Sequence, residues 1–497
     1  MQSQKIKLRT QRLNKEVGFV TFFLSILVYV LYLLTFSLVN ANQDYSIWVF
    51  LLSWLGIFLF LYICFSWYLI TNVVFTPYTI FMLFLFLFNY GQPFLWAFGI
   101  HDLAEIGKSS LYNFGAASTS DIMKAQTFTL ISTLMFHTGA VFCYKEGNKR
   151  KLEKTKRSLN QYENPIILKS IYYTCFIVGI VVFPVTLIYS FLDLQISLTH
   201  GYHALYYSEY ARTGINLTIL ETLFFPCLVG LLIGSKYNKK VTFYVYIVFA
   251  LFIIFSALSG DRGSWVYKVI ILVWLRHVCY KPINLKKTIQ YGTLSVIALY
   301  IVDVLRSLRN TGISIEAVIH SLNLENNPFK STIFEMGGSM QPLIVLQKYG
   351  WDVWPYANTY FTAITGMITN KITYLLDIPF SLIGSWFSDY LGITWGAGFS
   401  MFAEALLNFG PIFAPLFMII MGYIITSFIY VNKRIDYKTS PFKVFFVAAT
   451  LHSFIPVVRN SFHLLLKNWL YGVIALCIII LIFNALQRKF SKRYIAN

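Results

Sequence analysis

Long unbroken apolar runs dominate the pattern of this chain. Stretches rich in Leu, Ile, Phe and Val recur near 17–39, 46–70, 74–98, 123–143, 168–191, 214–235, 241–258, 264–280, 288–305, 411–431, 442–458 and 468–486. Crossing a hydrocarbon core takes about 20 helical residues. The runs therefore predict an all-α polytopic membrane protein of about twelve transmembrane helices. The first run, Val17–Val39, is long enough to span and is expected to be an uncleaved signal anchor. From Arg306 to Pro411 no uninterrupted apolar run reaches spanning length, and the segment is rich in Asn, Asp, Gly, Pro and Trp. A connection of this length in a compact protein is usually functional. The expected organisation is nine helices with short loops over 1–305, a long outer-face loop with short helices over 306–410, and three C-terminal spans over 411–497.

Charge orients the helices. With the N-terminus in the cytoplasm and strict alternation, the cytoplasmic segments hold 28 of the 40 Lys and Arg residues, including the runs KRKLEKTKR and QRKFSKR. Loops rich in Lys and Arg stay inside, so both termini are expected to be cytoplasmic. The net charge of +19 is then a topogenic signal and an attraction to anionic lipid, which argues against a nucleic-acid partner. Composition agrees: 57% of residues are hydrophobic and only 12% charged, against roughly 25% charged in soluble domains. The six cysteines lie in or beside apolar runs and form no C-x-x-C pair, so neither a disulfide framework nor a zinc site is expected.

The middle of nearly every span is free of charge, which disfavours an ion-coupled transporter. Candidate chemistry collects at the expected outer face instead. Ser259-Gly-Asp-Arg-Gly263 offers a tight turn and the Arg262 guanidinium, though an ordinary turn with an Asp–Arg pair has the same sequence. Arg306 and Arg309, three residues apart, share a helical face and could neutralise a diphosphate; snorkelling to lipid phosphates is the bland alternative. Gly396 to Gly410 reads as a glycine-rich approach, a short helix from about Ser400, and a stop at Gly410-Pro411. Within it Glu404 and Asn408 are i, i+4 neighbours forming a polar stripe on an apolar helix. That setting suits acid–base work, and a structural ion pair is its rival. Arg459 and His463 could share a face after Pro456, and Glu335 precedes a Gly-Gly pair in the long loop. Tyr and Trp residues cluster on the same side, as sugar platforms or as an interfacial belt. No D-x-D or E-x-D occurs, so a diphosphate site would rely on arginine with no carboxylate-bound metal and no cofactor.

The stretch Gly-Ala-Gly-Phe-Ser-Met-Phe-Ala-Glu-Ala-Leu-Leu-Asn-Phe-Gly (396–410) resembles the G-x-G-x-S-x-x-A-E-x-x-x-N-F-G signature of Wzy-type O-antigen and capsular polysaccharide polymerases. Ser-Gly-Asp-Arg-Gly (259–263) is similar to that family's G-x-R-G element. The family's usual glycine shortly after N-F-G is replaced by Pro411 and Ala414. The resemblance implies a GT-C-like membrane glycosyltransferase of the bacterial inner membrane. Its substrates would be polyprenyl-diphosphate-linked oligosaccharide repeat units on the outer face, and its expected partners a chain-length regulator and a flippase. In that chemistry Glu404 is the first choice of base and His463 the second. Asn408 orients sugar or carboxylate; Arg262, Arg306, Arg309 and Arg459 face the diphosphate; Glu335 contributes to substrate binding. An O-antigen ligase-type enzyme and a lipid-linked oligosaccharide flippase are the rival functions.

Overall fold

The structure is a computed structural model describing residues 2–39, 43–100, 117–155, 165–200, 204–205, 218–260, 264–284, 286–287, 290, 293, 328–393, 398–431 and 440–496. The long helices are α1 (Gln2–Leu38), α2 (Ser46–Thr71), α3 (Pro77–Ala97), α4 (Thr119–Thr155), α5 (Pro165–His200), α6 (Thr218–Gly234), α7 (Lys239–Ser259) and α8 (Val266–Cys279). Five short helices follow: α9 (Pro328–Met336), α10 (Gln341–Tyr349), α11 (Thr359–Thr365), α12 (Asn370–Leu375) and α13 (Ile383–Leu391). The chain ends with α14 (Met401–Ile429), α15 (Pro441–Phe454), α16 (Phe462–Trp469) and α17 (Ala475–Ala496).

Among the described residues nine helical stretches are long and apolar enough to cross a membrane, and Ile219–Gly234 is a shorter apolar helix. The chain is a multi-pass membrane protein. Phe19, Phe58, Ile177 and Phe413 are exposed on these helices, which suits lipid and would be costly in water. Of the twelve predicted runs, 264–280 becomes the 14-residue α8, and 288–305 lies almost wholly outside the described residues.

The chain divides into two compact units that interleave along the sequence: residues 1–160, 333–430 and 457–464 form the first, and 161–332, 431–456 and 465–497 the second. In the first unit α4 and α14 cross with backbone against backbone. A Cβ on Gly139 would strike the Ile419 carbonyl, and one on Gly422 the Phe136 carbonyl. Small residues at such crossings let membrane helices approach closely. Buried polar groups near this crossing are paired: His137 takes hydrogen bonds with Ser66 Oγ (2.8 Å) and Tyr78 OH (2.7 Å), and Ser25 and Thr138 hydroxyls meet at 2.6 Å. In the second unit α6 packs closely on α5, where a Cβ on Gly234 would lie 2.6 Å from the Tyr172 amide nitrogen. The last span carries a π-helical turn, Leu470–Ile474, that brings Gly472 against the Thr222 carbonyl.

Candidate active site

The Glu404 stripe sits at the start of α14 within the first unit. Ser400 caps the helix, accepting from Phe402 N–H (3.3 Å) while its hydroxyl donates to Asn89 Oδ1 on α3 (2.8 Å). An N-cap serine followed by apolar residues starts the helix where the sequence places it. The predicted stop at Gly410-Pro411 is a kink: Gly410 has φ 66° and ψ 177°, and the helix resumes to Ile429. That conformation is essentially open only to glycine, and a Cβ there would also lie 3.0 Å from the Trp351 ring. Gly410→Ala should therefore cost about 1–3 kcal/mol and tilt the segment carrying Glu404. A lowered unfolding temperature of the detergent-purified variant is the expected result; an unchanged midpoint would remove the kink's role.

Glu404 is 0% exposed, and each carboxylate oxygen has a donor. The Thr359 hydroxyl donates to Oε1 (2.6 Å), and the Phe462 amide donates to Oε2 (2.7 Å). Asn408, one turn along, completes a closed network. Its Nδ2 donates to Thr359 Oγ1 (2.8 Å) and to the Glu404 carbonyl (2.7 Å), and its Oδ1 accepts from Thr359 N–H (2.7 Å). Because Asn408 donates to the Thr359 oxygen, that hydroxyl's own hydrogen is directed at Glu404. A buried carboxylate is tolerated only with such bonding.

Three segments meet at this carboxylate: α14 itself, the start of α11, and the start of α16. Asn358 caps α11, accepting from Tyr360 N–H (3.0 Å) and Phe361 N–H (3.3 Å). Tyr360 packs against Phe409, Phe417 and Phe462 with ring centroids 5.5, 4.7 and 5.1 Å away. His463 follows Phe462 directly and is buried beside Phe380 and Gly366, where a Cβ would come within 3.0 Å of its Cε1. Arg459 ends a 3₁₀ turn, so it does not share a continuous helix with His463. Its side chain is exposed with the guanidinium 5.6 Å from the Phe88 ring, and its carbonyl accepts from Phe399 N–H (3.2 Å). The structure thus brings Glu404, Asn408, Arg459 and His463 into one neighbourhood built around the α14 start and the 457–464 segment. Glu335 is exposed on α9. Arg262, Arg306 and Arg309 lie outside the described residues.

Thr359 and Phe462 were not singled out from sequence. The Asn358-Thr359 pair, a polar dipeptide opening an apolar helix, is an N-cap signal that marks the first. A backbone amide such as that of Phe462 leaves no signal in the sequence. Among the described residues no three His, Cys, Asp or Glu side chains converge in a way that could hold a metal ion. The family model for O-antigen polysaccharide polymerase Wzy matches residues 18–489. No curated protein and no solved structure matches the chain.

Proposed function

This chain belongs to the O-antigen polysaccharide polymerase Wzy family, and on that premise we propose that it joins polyprenyl-diphosphate-linked oligosaccharide repeat units at the outer face of the inner membrane, with Glu404 at the reacting centre. The observation that carries the site is the directed Asn408–Thr359–Glu404 hydrogen-bond network. A hydroxyl of the incoming unit attacks the anomeric carbon of the growing chain. The new C–O bond forms as the bond to the lipid diphosphate breaks, and the diphosphate leaves with the electron pair. The hydroxyl proton passes to Glu404 through Thr359, which hands its own hydrogen to Oε1 and takes the substrate's in its place. Direct attack by one hydroxyl inverts the anomeric centre. His463, adjacent to the amide that Glu404 holds, is the second candidate to receive the proton.

The leaving diphosphate calls for positive charge, which acts where charge develops. Arg459 is the described arginine of this neighbourhood; Arg262, Arg306 and Arg309 remain candidates by residue type, and Glu335 a candidate sugar contact. Twelve spans fit the same proposal: the nine candidate helices, α6, α8 and the apolar run 288–305, in a GT-C-like arrangement with both termini cytoplasmic.

Deletion of the chain tests the function. Cells lacking it should accumulate single repeat units on the outer face, restored to polymer by the intact protein. Long chains left on the lipid carrier would instead mark a ligase, and single units held on the cytoplasmic face a flippase; either would sink the polymerase assignment.

A further inference from the structure

The second unit contains a cavity of about 240 Å3 that the Glu404 chemistry does not use. Its walls carry Asp193 of α5, Glu221 of α6, Lys268 of α8 and His452 of α15, with hydroxyls from Thr186, Ser190 and Ser256. Ionisable side chains inside membrane helices are expensive and generally functional. A single water needs only about 10–15 Å3 of such space, so the cavity has room for a molecule.

Depth along the helices fixes where it lies. From Lys169 to Asp193 α5 advances about 36 Å at 1.5 Å per residue, more than the roughly 30 Å of a hydrocarbon core. The other contributors agree: Glu221 opens α6, Ser256 is near the end of α7, Lys268 is in the first turn of α8, and His452 is near the end of α15. All come from the helix ends opposite the lysine-rich 236–240 turn. By the same count Thr186 lies about 26 Å along α5 from Lys169, so the cavity occupies one end of these helices and reaches the membrane interface, where a lipid-linked head group sits.

The lining is amphipathic in a specific way. Phe224, Phe225 and Phe252 supply apolar ring surface, with the Lys268 ammonium 4.4 Å from the Phe252 centroid and the His452 ring 4.7 Å from that of Phe225. Two polar groups are left over. Thr186 is 3% exposed, and its hydroxyl has no hydrogen-bond partner; the buried His452 Nδ1 has none either. A buried hydroxyl left without a partner is costly unless a ligand satisfies it. Carboxylates and an ammonium for hydroxyl groups, and rings for C–H faces, are complementary to a pyranose.

We propose that this cavity is a saccharide subsite that holds one sugar residue of the lipid-linked substrate, with the Thr186 hydroxyl and His452 Nδ1 among its direct contacts. The identity of the ligand rests on the polymerase assignment; the existence of the subsite does not. Thr186→Val separates binding from structure, because replacing an unpaired buried hydroxyl by a methyl of similar shape should leave a purely structural site as stable or more so. The test uses the full-length protein in nanodiscs and lipid-linked repeat units extracted from deletion cells. Thr186→Val and Ser256→Ala should each raise the apparent KM about three- to tenfold, with kcat and the unfolding midpoint preserved. Direct binding of the same lipid-linked units, which needs no turnover, should weaken in parallel. Unchanged KM and unchanged binding in both variants would overturn the subsite. So would a shift in the pH profile with KM unchanged, which would mark a proton path. Wild-type protein that binds the units without extending them would defeat the polymerase assignment and leave the subsite standing.

Discussion

Glu404→Gln should cut polymer formation by about 10²–10⁴-fold, the usual contribution of a positioned general base. The substitution keeps the shape of the side chain but not its bonding. The carboxylate accepts from two donors, Thr359 Oγ1 and Phe462 N–H. A carboxamide has one acceptor oxygen, so one of those donors must lose its partner at a cost of about 1–3 kcal/mol. Stability and chemistry can be told apart with Thr359→Val. That variant leaves the carboxylate and the Phe462 bond intact but removes the hydroxyl through which the proton travels. If Glu404 is the base and Thr359 its relay, both variants lose kcat while KM for the lipid-linked unit stays within about twofold. If Glu404 only ties α11 and α16 to α14, both variants lose thermal stability, and the fraction that remains folded turns over normally. Full polymer length from Glu404→Gln at wild-type membrane abundance would end the assignment.

The polar stripe was readable because its two members lie on one helix at i, i+4 spacing, and local geometry alone puts them on one face. The bonds that define the site run elsewhere. Thr359 is far upstream in the long connection and Phe462 far downstream, and their meeting at Glu404 depends on how α11 and the 457–464 segment pack. Single-sequence periodicity does not encode that. The same limit governs the second-unit cavity. Four helices contribute its titratable groups, and only packing turns Asp193, Glu221, Lys268 and His452 toward one space. Apolar runs, by contrast, report directly on the solvent around each helix, so the membrane class was plain from composition. Run 411–431 also differs from the sequence reading, because it is joined to the segment before it. Gly410 and Pro411 do break the helix locally, but α14 continues across them as a kinked whole, so the Glu404 turn and the following span are one element.

That continuity ties the α4–α14 crossing to the proposed site as well as to the fold, and Gly422→Val should be among the most damaging single substitutions in the first unit. The Cβ of any residue at 422 would collide with the Phe136 carbonyl, and Gly139 faces the Ile419 carbonyl in the same way. Over-packing usually costs about 1–3 kcal/mol when side chains can shift aside. Here the obstacle is backbone on the opposite helix, so the helices themselves must separate, and the cost should exceed about 3 kcal/mol. Against a total stability of about 5–15 kcal/mol such a loss lowers membrane abundance and broadens the protein's elution in detergent. Gly422→Ala offers a graded version, since the smaller side chain still meets the carbonyl. It should leave folded protein with reduced polymer output, because α14 carries the crossing at one end and Glu404 at the other, so a displaced crossing moves the carboxylate away from Thr359 and Phe462. Wild-type abundance and activity for Gly422→Val would mean that α4 and α14 do not meet backbone to backbone. The position of Glu404 would then need another support.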